Sequence, residues 1–137
     1  MNPALQNKTV LAGRILLGLL FVFSGLAKIL GFHGTVGYIA AKGLPMPETA
    51  AVITILVELG GGLCVMSGFH SRVAAVGLAV FTLLAALIFH NFWAAAPAQF
   101  NAQYVNFMKN VSITGGMLLL ASFGPGALSL DARRLRR

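Results

Sequence analysis

Four apolar stretches fill most of this 137-residue chain and leave little from which to build a water-soluble domain. Val10 to Leu30, Thr49 to Ser67, Val73 to Phe89 and Val105 to Phe123 reach or approach the length a helix needs to cross a hydrocarbon core of about 30 Å. Hydrocarbon offers no hydrogen-bond partners, so each stretch must satisfy its own backbone as a helix. Hydrophobic residues make up 58% of the chain and charged residues 9%, against about 25% charged in a soluble domain. In water such a surface would form large apolar patches; in a bilayer it faces lipid. The expected fold is all-α, an integral membrane four-helix bundle forming a single domain over 1–137, with helices at about 9–30, 48–67, 71–91 and 104–123.

The breaks are marked by glycine and proline. Gly31-Phe32-His33-Gly34 is expected to end the first helix. The connection to residue 47 is the longer one, and its segment Thr35 to Lys42 has enough apolar surface for a short interfacial helix. Pro47 suits the first position of the second helix, with Glu48 favourable in its first turn. Ser67-Gly68-Phe69-His70-Ser71 is a tight turn, which makes the helices on either side antiparallel neighbours. Trp93 and Tyr104 suit a membrane interface. Lys8 precedes the first apolar run as in a signal peptide, but Lys28 and Ile29-Leu30 follow where a small-residue cleavage site would be, so a retained helix is expected.

The net charge of +7 is not the mark of a nucleic-acid binder, because the basic residues concentrate at one place. Arg133, Arg134, Arg136 and Arg137 directly follow the last apolar stretch, where they act as an orientation signal and a contact for anionic lipid. No nucleic acid is expected as a partner. Cys64 is the only cysteine, which excludes an internal disulfide or a C-x-x-C relay and suits a small buried packing residue. Gly60-Gly61-Gly62 lies within a span and lacks the Lys-Ser/Thr of a phosphate loop. It serves close helix packing instead. His33, His70 and His90 do not cluster, so neither a metal site nor a haem is expected.

An ionisable group inside a span costs about 2.5–3.5 kcal/mol on insertion scales, so each needs a reason. Arg14 and Lys28 share a face of helix one, separated by about 21 Å at 1.5 Å per residue. Glu58 falls near mid-depth of helix two, His90 at the end of helix three, and Asn106, Lys109 and Asn110 along one face of helix four. Ser24, Lys28, His90, Asn106, Lys109 and Asn110 therefore converge on one half of the bilayer, with Glu58 beneath them. Two lysines against one carboxylate leave such a cavity positive, suited to a small anion or to a carbonyl ligand that gains charge on reduction, such as a quinone. The competing reading is structural: Lys28 and Lys109 snorkel to headgroups or neutralise Glu58. Arg14 is expected to set orientation or to pair at its own end, with Asp131 if the tail folds back.

At these residues the chain resembles the DoxX family of small bacterial membrane proteins. Arg14 with Leu-Leu-Gly-Leu-Leu-Phe, Ser24-Gly25 and Lys28 resembles the family's first helix, and Gly43-Leu44-Pro45 its first outer loop. Glu58-Leu59-Gly60-Gly61-Gly62, Gly68 and Arg72 resemble the second helix and turn. His90-Asn91-Phe92-Trp93, Lys109-Asn110, Gly115-Gly116 and Ser129-Leu130-Asp131 complete the pattern. The resemblance implies a multi-pass protein of the bacterial inner membrane. Some family members belong to a thiosulfate:quinone oxidoreductase, and others are linked to membrane redox or thiol-stress complexes. The chain has no electron-carrying cofactor motif, so an oxidoreductase role requires a bound quinone or a protein partner. The alternative is a non-enzymatic scaffold or accessory subunit, alone or as a homo-oligomer.

Four spans place both ends of the chain on one side, with Lys8, Arg14, Arg72 and the four tail arginines; Lys28, Lys42 and Lys109 lie on the other. The positive-inside rule assigns the richer side to the cytoplasm. Reporter fusions at Arg137 are expected to be active only as cytoplasmic reporters, and fusions between Ala94 and Gln99 only as periplasmic ones. The reverse pattern would refute this topology.

Overall fold

The computed structural model describes residues 2–134, and it holds six α-helices and no strand among them. Arg136 and Arg137, counted above for orientation, lie outside the described residues. Helix α1 runs Pro3–Leu30. It begins six residues before the apolar run suggests, because Asn2 accepts a hydrogen bond from the Ala4 N–H at 2.9 Å and Pro3 occupies the first turn. A cap sets where a helix starts; the apolar run sets only which part meets lipid. Gly31 alone separates α1 from α2, Phe32–Ala41, so the short helix begins three residues earlier than expected. Helices α3, Pro47–Ser67, and α4, Ser71–Phe89, follow. A 3-10 turn at Phe92–Ala94 leads to α5, Phe100–Phe123, which starts four residues before the expected position. A sixth helix, α6 at Leu130–Arg134, was not foreseen.

Three segments are long and apolar enough to cross a membrane: Pro3–Leu30, Pro47–Ser67 and Ser71–Ala94. The expectation of four such spans is corrected at α5. With 24 residues it has the length, but Asn106, Lys109 and Asn110 make its first half too polar. This helix, the least apolar of the long ones, nevertheless runs back along α4 and returns the chain to the end of the bundle that holds the start of α1, where Leu128 meets Arg14.

The long helices pack in the order α1, α3, α4, α5. The tightest approach is between α1 and α3. A Cβ added at Gly18 would lie 2.8 Å from the Gly62 carbonyl oxygen, and one at Gly62 would lie 3.0 Å from the Gly18 carbonyl oxygen. The two backbones touch, and helix association in lipid, which has little apolar driving force, relies on such contact. Leu78 of α4 sits against Gly61 of α3, and Met117 of α5 is fully buried beside Phe21, Val65 and Leu78. Helices α1 and α5, at the two ends of this order, meet only lightly, with Leu17 against Gly116.

The segment after α5 folds back over the end of the bundle that holds the start of α1. Arg14 is buried, and its Nη2 donates to the Leu128 carbonyl at 2.7 Å. The Asp131 N–H donates to the Gly68 carbonyl at 2.9 Å. Gly68 takes φ +71°, which lets α3 turn into α4 with no Cβ where Arg14 passes. The tail thus folds back as expected, but Arg14 bonds a backbone oxygen while the Asp131 carboxylate serves α4. That carboxylate accepts from the N–H of His70 at 2.8 Å, the N–H of Ser71 at 3.1 Å and the Ser71 hydroxyl at 3.0 Å. It caps a helix whose own N-cap residue provides no side-chain bond.

Partial burial works against the Asp131 charge, but these three donors outweigh it and hold the carboxyl below its ordinary value. A carboxyl depressed on folding stabilises the native state above the ordinary carboxylate range, and that contribution is lost as pH falls through the depressed value. Asp131→Ala is expected to lower stability by about 1 kcal/mol at neutral pH and to flatten the acid limb of stability. Thermal unfolding in detergent between neutral and acid pH measures both.

Candidate functional site

The antiparallel register that brings Gly62 to Gly18 also brings Glu58 to the level of Lys28, further along α1. Glu58 is 6% exposed. The Lys28 ammonium donates to Glu58 Oε1 at 3.0 Å and to Ser24 Oγ at 2.6 Å, and it lies 2.9 Å from Oε2. Ser24, one turn before Lys28, donates its own hydroxyl to Oε1 at 3.1 Å. Lys28 therefore folds back into the bundle and does not snorkel to headgroups. Buried charge is tolerable when paired and further hydrogen-bonded, and both conditions hold here. Oε2 is engaged by the Lys28 ammonium as an ion contact and has no other partner, so the carboxylate keeps a lone pair for a further donor.

Beside this triad lies a cavity of about 760 Å³. Its walls come from α1 to α5, and most of the lining is apolar. Ser24, Lys28, Glu58, His90, Lys109 and Asn110 all line it, as the sequence suggested. Asn106 does not: the wall takes α5 only from Lys109 onward, one turn further along. His90 ends α4 as its cap residue, and its Nδ1 lies 3.0 Å from Gln103 Oε1. That geometry suits Nδ1 as the donor and fixes the ring. Lys109 is exposed and forms no ion pair among the described residues. With Glu58 neutralised by Lys28, Lys109 leaves the cavity with one excess positive charge. No group of three His, Cys, Asp or Glu suited to a metal occurs among the described residues.

The end of the cavity away from Arg14 is roofed. Tyr38 of α2 stacks on Phe89 with ring centroids 5.3 Å apart, and Lys42 donates to Asn91 Oδ1 at 3.3 Å. Phe92, in the connection after α4, packs edge-on against Tyr104 and Phe107 of α5, each at 5.3 Å. Sequence reasoning missed three threonines of the wall, Thr35, Thr54 and Thr82; of these Thr82 is 4% exposed and has no hydrogen-bond partner for its hydroxyl. The signal was present: Thr82 is the one hydroxyl between Val73 and Phe89.

The DoxX family model matches residues 9–91. Inner membrane protein YphA of Escherichia coli is 43% identical over 124 residues, covering 90% of this chain and 89% of the relative. Inner membrane protein YqjF of the same organism is 43% identical over 127 residues, covering 93% and 92%. CatD of Bacillus subtilis, provisionally named an oxidoreductase, is 32% identical over 131 residues, covering 96% and 90%. No solved structure matches the chain.

The ion pair predicts coupling. Glu58→Gln is expected to destabilise the bundle, and adding Lys28→Met is expected to restore part of the loss. Breaking one side of a buried pair costs about 3–5 kcal/mol in soluble proteins, with smaller values usual in lipid. The same cycle with Lys109→Met is expected to be additive, because Lys109 lacks a carboxylate partner. Unfolding in mixed micelles measures each corner of both cycles.

Proposed function

The chain belongs to the DoxX family, and from that premise we propose that it is a redox-associated membrane subunit binding a quinone or a small anion in the cavity walled by α1 to α5. The observation that carries the reading is the chemistry of the wall. An apolar cavity within the usual ligand-site range of about 300–1,000 Å³ places the free cation of Lys109 and the amide of Asn110 opposite the Lys28–Glu58–Ser24 triad. An apolar wall suits a quinone ring. An ammonium in low dielectric stabilises the negative charge that forms on a carbonyl oxygen as it is reduced, and the same charge attracts a small oxyanion.

Glu58 and His90 are the groups that would exchange protons with a reduced ligand. The provisional oxidoreductase name of the Bacillus relative supports the redox direction. The quinone would be the electron acceptor, and the electrons that reduce it would come from a partner protein. In the proposed orientation the chain ends face the cytoplasm and the cavity occupies the outer half of the inner membrane.

Lys109→Ala is expected to weaken binding of a benzoquinone or of thiosulfate by about tenfold, the value of a charge-assisted hydrogen bond of roughly 1.5–3 kcal/mol at its lower end. Lys8→Ala, on an exposed position at the far end of α1, is expected to leave it unchanged. Calorimetry in nanodiscs decides. Equal effects, or no binding of either probe by the wild type, would leave the accessory-scaffold reading in place.

A further inference from the structure

Thr82 is the buried polar group for which the fold has no use of its own. Several hydroxyls within helices of this chain turn back on their own helix: Thr35 donates to the Gly31 carbonyl, Ser112 to Met108 and Thr114 to Asn110. This is the ordinary resort of a helical hydroxyl in apolar surroundings. Thr82 Oγ1 makes no such bond, although it is buried and lines the cavity. Leaving such a group unsatisfied costs about 1–3 kcal/mol. Its depth follows from the register. Leu78 packs on Gly61, Thr82 is one turn beyond Leu78, and Glu58 is one turn before Gly61 on an antiparallel helix. Thr82 and Glu58 are therefore at the same level, at the floor of the cavity, where Glu58 Oε2 has the Lys28 ammonium at 2.9 Å and no other partner.

The shape of the opening adds a second observation. At the end away from Arg14, Thr35, Tyr38 and Ile39 of α2 and Leu44 beyond it form part of the wall. Sideways, the cavity borders the gap between α1 and α5. Leu17 closes that gap against Gly116, and one turn later Leu20 already belongs to the cavity wall. Leu20, Phe23 and Leu84 line the cavity and are still 49%, 64% and 52% exposed. These apolar edges face lipid.

We infer that the ligand is a membrane-dissolved amphiphile whose polar head is held at the floor by the Thr82 hydroxyl, while its apolar chain leaves through the gap between α1 and α5. This rests on the reading of a carbonyl ligand given above and specifies its class. A tailed quinone has the required form: a ring carbonyl accepts from Thr82, a reduced ring hydroxyl donates to Glu58 Oε2, and the chain lies along Leu20 and Phe23. A small oxyanion has no chain to place there.

The test uses a dimethoxy-methyl-benzoquinone with a decyl chain and the same head without one, each titrated against the protein in phosphatidylcholine nanodiscs. Thr82→Val keeps the side-chain volume and removes the hydroxyl; it is expected to weaken both probes about fivefold, the effect of one neutral hydrogen bond. Thr82→Ser, which keeps the hydroxyl, is expected to restore most of the affinity and thereby separates hydrogen bonding from any folding defect. Leu20→Trp, which fills the gap, is expected to weaken the tailed probe about fivefold and the tailless head by less than twofold. Wild-type affinity for both probes in Thr82→Val, or the same effect of Leu20→Trp on both, would overturn the inference and leave the cavity reading standing. Failure of the wild type to bind either probe would overturn the quinone reading and this inference with it.

Discussion

A carboxylate about eleven residues into an apolar helix must find a cation, and in this molecule much of the bundle is arranged around that need. Glu58 reaches Lys28 only because α1 and α3 run antiparallel in one register, and Gly18 and Gly62 fix that register by letting two backbones touch. Lys28 gives up the short path to headgroups that its place near the end of α1 offers, and Ser24 supplies the third corner. An ion pair held in this way selects one arrangement of helices over others of similar apolar packing. It also draws the triad to one side of the cavity and leaves Lys109 as the uncompensated charge on the other.

The same glycine contact shapes what stays open. Helix α1 is drawn against α3, while α5 is drawn against α4, with Leu78 and Met117 in the shared core. The two outer helices of the row meet lightly where Leu17 touches Gly116 and diverge beyond it. The cavity is therefore a consequence of where the tight contacts are.

Much of this was legible in the residues. The lengths of the apolar runs gave an all-helical membrane protein, and depth along each run brought Ser24, Lys28, Glu58, His90, Lys109 and Asn110 to one region. Periodicity also placed Asn106 on the Lys109 face, but the wall ends one turn short of it, because spacing along one helix says nothing about where a neighbouring helix turns away. Whether Lys28 snorkels or pairs depends on the α1–α3 register, which is a tertiary fact. The start of α1 was hidden in a polar cap at Asn2. Helix α6 has five residues and no periodic pattern; the Asp131 contacts with α4 reveal it. Thr82 was visible as a lone hydroxyl, but its missing partner is known only once α3 and α4 are packed.

The closure over Arg14 has a consequence for how the chain is made. Arg14 enters the membrane with the first helix, yet the carbonyl it bonds belongs to Leu128 and the turn beside it is capped by Asp131. During synthesis the guanidinium must wait in the interfacial water while every other helix emerges. A contact across more than a hundred residues of sequence is therefore among the last to form. A nascent chain stalled before residue 128 would carry an unburied arginine at its boundary and an uncapped α4, two exposed marks by which membrane quality control can tell an unfinished protein from a finished one.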